Sequence, residues 1–141
     1  MTRYLLDTNI VSELARKEAS PSLLTWMASQ SLDDLFISSM TLGEIQRGIL
    51  LLPQGRKRED LRRWFEGPDG LLSLFAGRII AFDHRAALIW ARLMAEYRLS
   101  GRPKSPFDVI ISAVGEANGC VIVTANERDF QNVPYVNPMK L

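Results

Sequence analysis

A chain of 141 residues, 47% of them hydrophobic, is the size of one domain and carries enough apolar material for a core. Its formal net charge of +1 gives no global field for a polyanion, and its single cysteine excludes a disulfide within the chain. No stretch approaches the roughly 18 apolar residues of a membrane span, and the first apolar run stops at Asp7, too soon for a secretion signal; the cytoplasm is the expected compartment.

Arg3 to Leu6 reads as a strand buried on both faces, ending abruptly at Asp7. Thr8 and Asn9 suit a helix start, and Ile10 to Arg16 should form a short helix. Ser20-Pro21 opens a second helix, with Leu23, Leu24, Met27 and Ala28 as its apolar face. Leu35 to Ser38 reads as a second buried strand. Thr41 and Glu44 then form a capping box, which puts Glu44 in the first turn of a helix that runs to Pro53. Arg56 to Glu66 is a charged helix with Leu61, Trp64 and Phe65 inward. Leu71 to Phe75 adds a helical turn, and Arg78 to Phe82 is a third strand. Asp83 caps a helix whose apolar positions are Ala87, Trp90, Ala91, Met94 and Tyr97. Phe107 to Asn118 is a further helix with Phe107, Ile110, Ile111 and Val114 on one face. Cys120 to Thr124 is the fourth strand, and Pro134 to Val136 a short fifth. Strands alternating with helices predict one α/β domain: a mainly parallel sheet of four to five strands, with helices on both faces.

The chemistry is expected in four acids. Asp7 ends the first strand, Glu44 follows the second, Asp108 starts the helix before the fourth, and Asp129 follows the fourth. Each also has a plain local role, as a turn, cap or dipole partner. In a doubly wound sheet, however, these connections can meet at one edge, where ligands bind. Converging carboxylates repel each other unless a cation sits between them. Hard oxygen donors favour magnesium, with manganese able to substitute. Zinc is disfavoured, because the chain has one histidine, His84, and one cysteine, Cys120. No phosphate-cradling glycine loop appears. The arginines cluster at Arg56 to Arg58, at Arg62-Arg63 and from Arg98 to Lys104, so any nucleic-acid contact is local. Arg56 to Arg63 reads first as a solvated helix face with a Glu59–Arg63 pair.

Four segments in order resemble the PIN-domain proteins of the VapC toxin family. They are Leu5-Leu6-Asp7-Thr8-Asn9 through Glu13, Ile37-Ser38 through Gly48, Phe107-Asp108 with Ile110 to Ala113, and Thr124-Ala125-Asn126 through Phe130 followed by Asn137-Pro138. Phe75 to Ile79 resembles the FitB-type branch of that family. The resemblance implies a single PIN domain and a magnesium-dependent endoribonuclease, the toxin of a type II toxin–antitoxin pair. It also implies an RNA substrate, a VapB-like antitoxin and no membrane. Asp7 and Asp108 would be the main metal ligands and Glu44 a third acidic member. Asn126 stands where many members carry a fourth acid, and Asp129 is the nearest substitute. Thr8, Asn9 and Thr41 would support the ligands by hydrogen bonds, with Asn126 in the same role if Asp129 completes the site. Apolar residues such as Trp64, Phe65 and Leu71 to Phe75 could serve a homodimer or simply pack the core. The acids alone also admit a phosphatase with Asp7 as nucleophile, a module phosphorylated on Asp7, or an RNA-binding module that does not cleave.

Overall fold

The computed structural model describes residues 1–141. Its sheet contains β1 (Arg3–Leu6), β2 (Leu35–Ser38), β3 (Ile79–Ile80), β4 (Cys120–Val123) and β5 (Tyr135–Val136), all parallel, in the order β3-β2-β1-β4-β5. The helices are α1 (Thr8–Leu14), α2 (Pro21–Ala28), α3 (Ser39–Leu51), α4 (Arg56–Glu66), α5 (Leu71–Leu74), α6 (His84–Leu99) and α7 (Pro106–Ala117).

Alternation along the strands builds two cores. Successive strand side chains point to opposite faces. Leu6, Ile37 and Val123 therefore join the core beneath α1 to α5, while Leu5 and Ile122 join the core beneath α7. A smaller cluster of Leu93, Tyr97, Val109 and Ala113 glues α6 to α7. Leu5 and Leu6 are both fully buried, each contributing about 1.5–3 kcal/mol by burial. Gly115 lets α7 approach β4, since a Cβ there would meet Ile122 Cδ1 at 2.6 Å.

β1 is the first strand and also the central one. The chain steps outward to β2 and β3, then crosses back to β4 on the other side of β1. The strand order reverses between β1 and β4, and ligands bind at such a switch point, outside the carboxyl ends of the strands. The Asp7 amide donates to Val123 O at 2.9 Å, so the β1–β4 ladder carries Asp7 to this place.

Several local expectations are corrected. The N-cap of α3 is Ser38, whose Oγ accepts from the amides of Met40 and Thr41 at 3.1 and 3.3 Å. The helix thus begins directly from β2, Thr41 is buried within it, and Glu44 falls in the second turn rather than closing a capping box. Asp7 itself caps α1, which starts at Thr8 rather than Ile10. β3 is two residues long, not five, because β2 offers it only Ile37 and Ser38 before becoming α3. Leu24, Ala91 and Phe107, placed inward by periodicity, are exposed. Phe65, Leu71 and Phe75 are core residues.

Candidate active site

Asp7 is 9% exposed, and neutral donors surround it. Its Oδ1 accepts from the Thr8 amide at 2.8 Å, and its Oδ2 from Thr124 Oγ1 and Asn9 Nδ2, each at 2.9 Å. Burial pushes the Asp7 carboxyl above its usual range, these three donors pull it down, and the neighbouring Glu44 charge pushes it up again. Thr8 Oγ1 donates to Glu44 Oε1 at 2.8 Å and lies 3.1 Å from Thr41 Oγ1. One residue thus ties both acids: Thr8 holds Asp7 through its backbone and Glu44 through its side chain.

On the other side of the switch point, Thr124 is fully buried, and its Oγ1 accepts from the Asn126 amide at 2.9 Å. Asn9 Oδ1 accepts from the Ala125 amide at 3.0 Å. A short helical turn over Glu127–Phe130 carries Asp129 three residues beyond Asn126. Within it, Asn126 Nδ2 donates to Asp129 Oδ2 at 2.6 Å. Lys104 Nζ donates to Asp129 O at 3.0 Å, lies 3.9 Å from Asp129 Oδ1 and sits over the Tyr97 ring. Asp108 is exposed in the first turn of α7 and lines a cavity of about 420 Å³ together with Asp129.

The acids therefore fall into two groups: Asp7 and Glu44, both held by Thr8, and Asp108 and Asp129, which line one cavity. No three acidic, histidine or cysteine side chains stand close enough to enclose an ion by themselves. Asp7, Glu44 and Asp108 have no ion-pair partner, whereas most of the chain's other acids do. Asp7, Glu44 and Asp108 offer only oxygen donors and are neutralised by no ion pair, which suits a hard cation. Magnesium in particular is commonly held by one or two carboxylates plus waters and substrate phosphate.

A second cavity, of about 1070 Å³, opens beside Glu44 and Thr8 between α1, α3 and α4. Ile45, Ile49, Leu61 and Trp64 give it an apolar floor, with Arg56 and Lys57 among its polar lining residues. The charged α4 thus has two faces. Arg62 pairs with Glu59 and Glu66, and Arg63 lies 3.8 Å from Glu59 and Asp60, a solvated network. Arg56 and Lys57 face the cavity instead. Two contributors escaped sequence reasoning. Thr124 stands in the fourth motif without a role of its own, and Lys104 reads only as the end of a basic cluster, not as a partner of Asp129.

Comparison with known proteins matches residues 4–135 to the PIN domain. The plasmid stability protein StbB of Pseudomonas syringae pv. tomato is 35% identical over 95% of this chain and 96% of its own. The toxin FitB of Neisseria gonorrhoeae is 32% identical over the same shares. The VapC ribonuclease Y4jK of Sinorhizobium fredii is also 32% identical, over 95% of this chain and 96% of its own. Among solved structures, FitAcB from Neisseria gonorrhoeae superposes with a TM-score of 0.90 at 31% identity, covering 98% of this chain and 99% of that one. FitAB bound to the IR36 DNA fragment gives 0.89 at 31% identity, over 98% and 96%. With the parallel sheet, the acids at its switch point and these matches along nearly the whole chain, the protein belongs to the PIN-domain family, alongside its VapC- and FitB-type members.

Proposed function

We propose that this chain is the ribonuclease toxin of a toxin–antitoxin pair, and that it hydrolyses RNA phosphodiester bonds at a divalent-cation site centred on Asp7. The observation that carries the reading is the buried Asp7 carboxylate. It lies beside Glu44 at the switch point, held by neutral donors and compensated by no lysine or arginine. Relatives named as ribonucleases and toxins support it. Asp7 and Asp108 would hold magnesium, or manganese in its place. When bound, that ion supplies a Lewis acid that acidifies water and neutralises charge on the phosphate.

The chain's own residues do the rest. Thr124 and Asn9 fix the Asp7 carboxylate, and Thr8 fixes Glu44 so that it can orient the attacking water. Asp129, steadied by Asn126 and Lys104, is the fourth acid on the Asp108 side, and Asn126 supports it rather than replacing it. Arg56 and Lys57 meet the RNA backbone from α4. The antitoxin, VapB-like in kind, docks on the apolar floor of the large cavity and sets a basic side chain against Glu44. Two copies pair through exposed leucines such as Leu50, Leu51 and Leu74. No helix is long and apolar enough to cross a membrane, and the substrate is a cytoplasmic RNA.

The test is cleavage of RNA by wild type, Asp7→Asn, Glu44→Gln and Asp108→Asn, each with magnesium, manganese and excess chelator. Cleavage by wild type alone, abolished by chelator, is the expected result. Wild-type rates that persist in chelator would overturn the metal site. Growth unaffected by abundant, folded wild-type protein would overturn the toxin role.

A further inference from the structure

We propose that Phe107 is a stacking platform for a nucleobase of single-stranded RNA, with the adjoining sugar-phosphate lying in the polar cavity between Arg102 and Arg128. The inference rests on the ribonuclease reading and adds the form of RNA taken and the residue that grips it.

Phe107 is 64% exposed, while every other phenylalanine, tyrosine and tryptophan is buried or half-buried. Folding gains almost nothing from a ring left in water. This one directly precedes Asp108 in the first turn of α7, about 100° around the helix from it. Ser105 and Asp108, on either side of it, line the polar cavity while Phe107 itself does not, which sets the ring just outside that cavity. The turn is braced: Trp90 Nε1 donates to Pro106 O at 3.0 Å, fixing the backbone just before the ring. Most residues lining the cavity are polar or charged. Lys104 is spent on the carbonyls of Arg128 and Asp129 and on the Tyr97 ring. Arg102 and Arg128 line the same cavity, are exposed and have no ion-pair partner. An exposed aromatic ring beside free arginines is the composition of a single-strand site, where the ring takes a base face and the cations track the backbone. A duplex hides its base faces and cannot use the ring.

The experiment measures binding of a fluorescent single-stranded oligoribonucleotide, and of its duplex, to wild type, Phe107→Leu and Phe107→Trp in excess chelator, where cleavage is silent. Leucine keeps apolar bulk but removes the π face. Phe107→Leu is expected to bind the single strand about 5- to 150-fold more weakly, the range of one base–aromatic stack. Phe107→Trp should bind as well as wild type or better. Duplex binding and melting temperature should be the same in all three, because the side chain is exposed. Phe107→Leu binding the single strand like wild type would overturn the proposal, as would equal losses for single strand and duplex. Intact RNA binding with a smaller sedimenting mass would assign Phe107 to a contact between copies instead. The ribonuclease reading fails separately, and takes this proposal with it, if wild type neither binds nor, with magnesium, cleaves RNA. Binding and cleavage by wild type with an indifferent Phe107→Leu removes the stacking platform alone.

Discussion

Replacing Thr124 with valine keeps the volume of a fully buried side chain and deletes one hydroxyl. That hydroxyl donates to Asp7 Oδ2 at 2.9 Å and accepts from the Asn126 amide at 2.9 Å and from Asn9 Nδ2 at 3.3 Å. The two donors belong to exposed residues, so water can replace their acceptor. Asp7 is buried, so its lost donor is not replaced. A hydrogen bond to a charged group is worth about 1.5–3 kcal/mol, and that is the expected loss at neutral pH without metal. For a domain of this size it corresponds to a melting temperature lower by about 5–10 °C. The loss should depend on pH. The folded carboxyl of Asp7 already lies above its unfolded value, because burial outweighs its donors. Its contribution to stability is therefore complete below the unfolded value and is lost as pH rises through the folded one. Removing Thr124 Oγ1 raises the folded value further. The gap between variant and wild type then opens as pH rises through the wild-type folded value and narrows in acid. Urea unfolding in chelator at neutral and acid pH measures it, with Thr124→Ser, which keeps the hydroxyl, as control. A Thr124→Val loss of the same size at every pH would refute the link to the Asp7 anion, and so would no loss at all.

Metal binding should appear as stability. At a manganese concentration of 100 times Kd, a site present only in the folded state adds about 2.7 kcal/mol, a rise of about 8–10 °C in melting temperature. That rise should largely vanish in Asp7→Asn/Asp108→Asn, and equal shifts in both proteins would place the ion elsewhere. On the far side of the edge, Asp129→Asn should lower cleavage and raise the metal concentration required more than Asn126→Ala does. A dead Asn126→Ala beside a normal Asp129→Asn, in the same metal titration, would reverse those roles.

The sheet was legible where composition was extreme. Leu5-Leu6 ending on Asp7, and the apolar run from Cys120 to Val123, are too short for helices and read as buried strands. Hence the placement of Asp7 at the carboxyl end of a buried strand could be read from sequence, whereas the strand order that makes it a switch point could not. Caps were harder, because several hydroxyls competed. Ser38 wins over Thr41 since the end of β2 already delivers it, buried, to the helix start. Thr41 is left free to meet Thr8. Burial at helix ends was harder still. Periodicity marks Phe107 as inward, but residues 105–108 are all exposed, and only Val109 onward is covered. A helical wheel records angle and not height, so it cannot see where a helix runs past its sheet. The cavity shared by Asp108 and Asp129, and the lysine between their loops, depends on two loops meeting, which no local pattern encodes.

The place of β1 between β2 and β4 has a consequence for synthesis. The ribosome makes Asp7 almost first, yet its partner Thr124 lies 117 residues later. Until β4 emerges, one edge of the central strand has no neighbour, and the carboxylate lacks its fixed hydroxyl. At elongation rates of about 5–20 residues per second, a nascent chain spends nearly its whole synthesis without a completed site. A message broken or a translation halted before codon 120 yields only fragments without β4. On the proposed toxin function, an activity assembled this way is withheld from every incomplete copy, and only finished molecules need neutralising.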